Sequence, residues 1–230
     1  MNKTRGLLLT AGFVLATAFT FSCSGDDNSG GEQGSGVSGE PVTYEGETYP
    51  TVVIGEQTWF AKNLNYNASG SKCYDNSPAN CTKYGRLYDW ATAMGLPADC
   101  NSNSCSSQIQ DKHKGICPDG WHIPSSEDWI ALSFYVVTDS DCFCCCEQSK
   151  LKAKSGWNNF NGTDQYGFAA LPGGNGFSDG NYGYVGNYGF WWSSHEGGSG
   201  VEIVEMGTHE EIQWSNGSKV VSYSIRCIKD

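Results

Sequence analysis

Cysteine is the residue type that offers this chain the widest chemistry, because a thiol can form a disulfide, bind a soft metal or act as a nucleophile. The sequence contains 11 cysteines. Without Cys23 their number is even, and it allows roughly 945 pairings, so the count alone does not define the bridges. Local spacing and position favour three of them: Cys73–Cys81, Cys100–Cys105 and Cys117–Cys227.

Four further thiols are crowded into one short segment, and two interpretations remain open. Cys142, Cys144, Cys145 and Cys146 could hold Cu(I) or Zn, or they could form two disulfides in a surface loop. Ligands so close together seldom enclose one tetrahedral ion, so we favour the disulfides.

A catalytic thiol lacks an assignable histidine partner, and His122, between Trp and Ile, is interpreted as structural. No metal and no other cofactor is predicted.

A glycine-rich segment at 175–192 carries the best candidates for ligand contact. Tyrosines there stand among glycines and asparagines, which combines rigid aromatic surface with adaptable hydrogen bonding. Aromatic faces can stack on sugar C–H groups, and amides can bind hydroxyls, so this segment could contact a sugar. The alternative is that the glycines only let long loops turn. The candidate residues are Tyr182, Tyr184, Tyr188, Asn181 and Asn187, whereas Trp191 and Trp192 are expected in the core.

Other common binding chemistries find little support in the sequence. The four histidines follow no H-x-x-H or H-E-x-x-H pattern, and no P-loop occurs. The Glu-Pro-Asn and Gln-Pro-Asp patterns of calcium-dependent lectins are also missing. A net charge of −11 argues against binding nucleic acid or an anionic membrane surface. We therefore expect neither calcium-dependent sugar binding nor nucleic-acid binding.

The N-terminus indicates export and lipid anchoring. Residues 1–22 have two basic residues and then an apolar run, which is typical of a signal peptide. A small residue precedes Cys23, as in a bacterial lipobox, so Cys23 is the expected lipidation site; an ordinary cleaved signal or an uncleaved helix is the alternative. Residues 23–40 are rich in Gly, Ser and Asp and are expected to form a flexible linker. These features predict a lipid-anchored protein of the cell envelope, exposed at the outer membrane.

The rest of the chain, 41–230, reads as one α+β domain with short strands, two helices and long glycine-rich loops. Gly55-Glu56-Gln57 between two β-rich runs indicates a hairpin. One helix is expected within 85–94. A second begins at Ser125, where Asp128 completes a capping box, and its predicted apolar stripe is Ile130, Phe134 and Val137. Residues 220–228 alternate apolar and polar side chains, which predicts a final strand with one buried face.

Several segments together resemble one family, the Fibrobacter succinogenes major paralogous domain, whose members are exported and often carried on lipoproteins. The resemblance covers residues 42–230, and the ordered set is more specific than any one segment. The matching segments are VVIGEQTWFAKNLNY (52–66), KCYDNSPANCTKYGRLYDWATAM (72–94), GICPDGWHIPSSEDW (115–129), LKAKSGWN (151–158), DQYGFAALPGGN (164–175), GFWWSS (189–194) and SIRCIKD (224–230).

The same segments are more distantly similar to the C-type-lectin fold of sulfatase-modifying enzymes and variable phage-receptor proteins. That likeness implies a C-type-lectin-like, disulfide-rich domain. The resemblance to the Fibrobacter family, which comes from a plant-fibre degrader, implies non-catalytic binding or adhesion to polysaccharide as the function. The alternatives are an enzyme of the sulfatase-modifying type, which would keep two cysteines reduced, and a structural component of an envelope assembly.

Overall fold

A computed structural model describes residues 34–138, 147–197, 200–209 and 211–230. Within these ranges the chain forms antiparallel sheets, four α-helices and three short 3-10 helices. The strands are β1 (Val37–Tyr44), β2 (Glu47–Ile54), β3 (Gln57–Phe60), β4 (Trp121–His122), β5 (Asn175–Gly176), β6 (Tyr182–Gly183), β7 (Gly189–Gly197), β8 (Gly200–Met206), β9 (Gln213–Gly217) and β10 (Ile228–Lys229). The helices are α1 (Pro78–Tyr84), α2 (Trp90–Met94), α3 (Ser126–Thr138) and α4 (Glu147–Leu151). The mixed architecture is as predicted, with four helices rather than two among the described residues.

A five-stranded sheet in the order β1-β2-β3-β10-β4 joins the two ends of the domain. Strands β2 and β3 form the expected hairpin around Gly55. Strand β1 begins at Val37, before the boundary at residue 41 that composition suggests. The preceding Gly36 fits there because a Cβ would lie 1.8 Å from the Tyr166 carbonyl oxygen. Backbone pairing with β2 thus orders a segment whose side chains bury little.

A second, three-stranded sheet in the order β7-β8-β9 places its two adjacent tryptophans on opposite faces. Among the described residues, the core consists of two clusters of buried side chains. Trp192 packs with Phe190, Ile203 and Tyr223 in the first cluster, and Trp191 packs in the second. Both tryptophans are fully buried, which confirms their expected place in the core.

Helix α3 has the predicted start but a different buried face. The Asp128 backbone N–H donates to Ser125 Oγ at 3.1 Å, and the Ser125 N–H donates to Asp128 Oδ2 at 2.8 Å, which completes the capping box. The predicted stripe is wrong, because Phe134 is 68% exposed and Ile130 is also exposed. The buried stripe of the helix instead consists of Trp129, Leu132 and Val136.

The final segment also differs from the prediction. Only Ile228–Lys229 pairs as a strand, while residues 222–224 make isolated bridges to Gly176, Tyr88 and Trp191 in three separate parts of the chain. Both alternating faces are buried, including that of Arg226, because the segment runs between layers of the domain. Polar side chains here are therefore part of the core.

Three disulfides cross-link the domain in the pairs that spacing and position favour. Cys73–Cys81 and Cys100–Cys105 close short loops. Cys117–Cys227 joins positions 110 residues apart, and both cysteines are fully buried. This long-range bridge ties the segment before β4 to the end of the domain.

Candidate functional site

A tight hairpin carries the predicted ligand-binding segment. Strands β5 and β6 pair, and the turn between them closes through the Phe177 N–H donating to the Asn181 carbonyl at 2.8 Å. Asp179 fixes Asn181 by accepting its side-chain N–H at 2.8 Å. The turn from Tyr184 to Tyr188 follows directly, with the Tyr188 N–H donating to the Tyr184 carbonyl at 2.9 Å. Local hydrogen bonds thus hold this loop in one shape.

Tyr184 is the exposed ring at the centre of an aromatic cluster. Its side chain is 53% exposed, and its backbone φ of 66° is the left-handed conformation that a tyrosine seldom adopts. Ring centroids of Tyr188 and Phe190 lie 5.7 and 5.9 Å away, and that of Phe177 lies 6.4 Å away. We call Phe177, Tyr184, Tyr188 and Phe190 the tyrosine platform. Strained backbone that presents an apolar ring to solvent is a feature often found at functional sites.

The other two predicted tyrosines are half-buried and contact different neighbours. Tyr182 packs on Tyr74 at 5.2 Å and donates its hydroxyl to Asn76 Oδ1 at 2.8 Å. Tyr188 stacks on Phe190 at 5.8 Å, within the platform. The structure therefore brings Tyr184 and Tyr188 together and places Tyr182 against a separate 3-10 helix.

Asparagine side chains border the platform on one side. Asn158 Nδ2 donates to Asn187 Oδ1 at 3.3 Å, and the Asn158 N–H donates to the Gly186 carbonyl at 2.7 Å. Gly186 has φ 81°, and a Cβ there would lie 2.6 Å from Asn158 Nδ2. The same loop carries Phe160, which is highly exposed. Sequence reasoning missed this loop, although the run Asn158–Gly162 shows the aromatic-among-asparagine pattern already recognised at 181–188.

A polar groove of about 360 Å³ adjoins the platform and was not predicted from the sequence. It is lined by Thr208, His209, Glu211 and Gln213, from the loop between β8 and β9 and the start of β9. Tyr188 connects the two surfaces, since its hydroxyl lies 3.2 Å from Thr208 Oγ1. We call the four lining residues the β8–β9 groove. Its volume is at the lower end of the range for small-ligand pockets.

Buried polar side chains of α4 and the residue after it hold the groove loop from below. Gln148 Oε1 accepts the Gly207 N–H at 2.8 Å, and Gln148 Nε2 donates to the Glu211 carbonyl. Lys152 donates to the Gly207 carbonyl and lies over the Trp157 ring at 4.3 Å. Burial lowers the pKa of Lys152 to about 8. These contacts hold the backbone at Gly207 and Glu211, on the two sides of the groove.

A carboxylate lies between the platform and the groove. Glu205 of β8 is directly opposite Phe190 on β7 and Gln213 on β9, so the three side chains share one face of the sheet. Burial raises the pKa of Glu205 above its usual range, and the charge of His209 acts in the opposite direction. Burial and the Glu205 charge also raise the pKa of Tyr223, whose ring packs on Phe190, to about 12.

One catalytic motif falls within this region without the structure that the chemistry requires. The residues Gly176–Gly180 read G-x-S-x-G, the pattern around nucleophilic serines of hydrolases. Ser178 lies in the turn between β5 and β6, not at a strand-to-helix elbow, and among the described residues no histidine hydrogen-bonds to it. The motif therefore forms a turn here.

Two predicted chemistries lie outside the described residues. Cys23 lies there, as do the four cysteines at 142–146. In the described part of the chain, no group of three or more His, Cys, Asp or Glu side chains could hold a metal ion.

Comparison with known families gives one result. The model of the Fibrobacter succinogenes major domain matches residues 52–229, most of the chain. Comparison with curated proteins and with solved structures finds no match.

Proposed function

This chain belongs to the Fibrobacter succinogenes major domain family, and from that premise we propose that its domain is a non-catalytic polysaccharide-binding module. The single observation that carries the proposal is Tyr184, an exposed ring held by strained backbone on a packed aromatic base. An exposed tyrosine offers a flat apolar face with little side-chain entropy to lose on binding. Sugar rings present flat C–H faces of similar character.

The surroundings of Tyr184 supply the hydrogen bonds that a sugar needs. Asn181 and Asn187 flank it in sequence, and Asn158 contacts Asn187. Amide side chains both donate and accept, so they match hydroxyl groups in either role. Stacking combined with amide hydrogen bonds favours an extended sugar polymer over a compact ion.

We propose further that the domain has a C-type-lectin-like fold. Support comes from the mixed antiparallel architecture, the Trp191-Trp192-Ser193 strand and the buried Arg226 of the last segment. The long-range Cys117–Cys227 bridge near the chain end is also consistent with this architecture.

The proposed location is the outer membrane surface, with lipid on Cys23 as the anchor. Among the described residues, none of the helices has the length and hydropathy needed to span a bilayer. If Cys23 is lipidated, the wild-type protein partitions into detergent and Cys23→Ser does not. Recovery of wild-type protein with an unmodified N-terminus would contradict the anchor.

A glycan array with the full chain tests the binding proposal. Tyr184→Ala should weaken polysaccharide binding by about 1–3 kcal/mol, by analogy with the stacking of bases on aromatic side chains. Phe134→Ala is the matched control, since it removes an exposed ring on α3, outside the platform. The control should bind as wild type does, and chelation of metal should change neither. Equal binding by wild type and Tyr184→Ala would refute the proposal.

A further inference from the structure

The tyrosine platform and the β8–β9 groove form one continuous surface. Tyr188 belongs to the platform, and its hydroxyl reaches Thr208 at the groove. A second connection runs across the sheet from Phe190 through Glu205 to Gln213. A polymer with one unit stacked on Tyr184 would therefore place a neighbouring unit over Glu205 and the groove.

Two carboxyl groups lie at this second position. Glu205 lies between the platform and the groove, and Glu211 lines the groove. Among the described residues Glu205 has no hydrogen-bond donor as a partner, and the basic group within its electrostatic range is His209. The chain as a whole carries a net charge of −11. Acidic sugars are disfavoured at such a position, and a cationic group is favoured.

Buried side chains also fix the backbone on both sides of the groove. The groove loop is held by Gln148 and Lys152, and Glu147 Oε2 accepts the Ile212 N–H at 3.3 Å. These bonds fix the backbone at Gly207, Glu211 and Ile212, so those positions need no ordering when a ligand binds, which lowers the free-energy cost of association. Aromatic rings beside a carboxylate are, in addition, a favourable environment for an alkylammonium group.

We propose that the β8–β9 groove, together with Glu205, binds the protonated amine of an amino-sugar unit next to the unit stacked on Tyr184. This inference rests on the proposed polysaccharide-binding function and adds the class of sugar. Glu205 accepts the ammonium hydrogen bonds, and Gln213 and Thr208 bind neighbouring hydroxyls. The ligand is then a polymer or oligomer that contains unacetylated glucosamine-type units.

Three oligosaccharides of equal length test this inference with the full chain. Oligomers of glucosamine, N-acetylglucosamine and glucose differ in an amine, an acetamide or a hydroxyl at one carbon. By calorimetry slightly below neutral pH and at low salt, we expect the glucosamine oligomer to bind about tenfold more tightly than the glucose oligomer. Added salt should reduce that preference and leave binding of the glucose oligomer unchanged.

Glu205→Gln removes the carboxylate charge and keeps the shape of the side chain. It should therefore abolish the preference for the glucosamine oligomer, while the affinity for the glucose oligomer stays the same. Glu56→Gln is the matched control, because it removes one negative charge in the exposed β2–β3 turn. It should retain the full preference. If Glu205→Gln fails to fold, the effect of salt on the wild-type preference for the glucosamine oligomer tests the role of charge independently.

The outcomes separate the inference from the function on which it rests. Equal binding of the three oligomers, with loss of all binding in Tyr184→Ala, would overturn the amino-sugar site and leave polysaccharide binding intact. A preference that persists in Glu205→Gln would overturn the role of that carboxylate. If none of the oligomers binds and Tyr184→Ala behaves as wild type, both proposals fail.

Discussion

The guanidinium of Arg226 donates two hydrogen bonds to one oxygen of Asn63, from Nε at 3.1 Å and from Nη2 at 2.8 Å. The same Asn63 Oδ1 accepts the Trp191 indole N–H at 2.8 Å, and Asn63 Nδ2 donates to the Tyr84 carbonyl at 2.8 Å. Arg226 completes its bonds with the carbonyls of Phe60 and Phe168. Burial lowers the pKa of Arg226 to about 9, so it remains charged at neutral pH.

This arrangement predicts an unequal effect of two substitutions. Asn63→Leu leaves the buried charge of Arg226 without its main acceptor and should cost about 3 kcal/mol or more of unfolding free energy. Arg226→Met removes the charge itself, so it should cost less. The double variant should be less destabilised than the sum of the single variants, because they share one interaction. Urea unfolding measures all three, and simple additivity would contradict the coupling.

The long-range disulfide should contribute more stability than a short one. In the chain-entropy model, a loop closed over 110 residues is worth about 5 kcal/mol and a loop closed over 5 residues about 2 kcal/mol. Replacing both Cys117 and Cys227 by Ser should therefore destabilise the domain more than the same change at Cys100 and Cys105. Each single variant of the long bridge should be about as unstable as its double variant. Peptide mapping that finds Cys117 or Cys227 free would refute the pairing.

Stability should depend on pH through His122. Its ring lies between two carboxylates, with Nδ1 2.8 Å from Asp230 Oδ1 and Nε2 3.2 Å from Asp128 Oδ2. Burial alone would lower the pKa of His122, but the two hydrogen bonds outweigh it and raise the pKa above 6.5. Burial would raise the pKa of Asp128, but His122 and Ser125 lower it below 3.8.

The signs of these two shifts define a window of greatest stability. The contribution of His122 is fully present below pH 6.5 and is lost as pH rises through its raised pKa. The contribution of Asp128 is present above pH 3.8 and is lost as pH falls through its lowered pKa. Unfolding free energy measured against pH should therefore be greatest between these values. Asp230→Asn should move the loss on the alkaline side to lower pH, and an unchanged profile would contradict this account.

The two faces of α3 should respond differently to truncation. Leu132→Ala should cost about 2–5 kcal/mol, because the side chain is fully buried and its removal leaves a cavity. Phe134→Ser should change the unfolding free energy by less than about 0.5 kcal/mol, because the ring is largely exposed. Thermal and urea unfolding of the two variants compare them directly. A similar loss from both would mean that the Phe134 face is covered in solution.

Local features of this protein follow from the sequence because their causes are local. The Ser125–Asp128 capping box and the hairpin at Gly55 each depend on residues within a few positions of one another. The short disulfides have the same origin. The family could also be identified, since its motifs occur in order along the chain.

The tertiary structure alone decided which alternatives the chain uses. Two stripes of α3 are apolar, and the one with Leu132 is buried because it packs in one cluster with Trp59 of β3 and Trp191 of β7. Arg226 alternates with apolar residues as a solvent-facing residue would, yet layers on both sides bury it. The β8–β9 groove requires α4, β8 and β9 to meet, although Gln148 and Gly207 are 59 residues apart. Burial and site geometry depend on such distant contacts, which no local pattern of residues encodes.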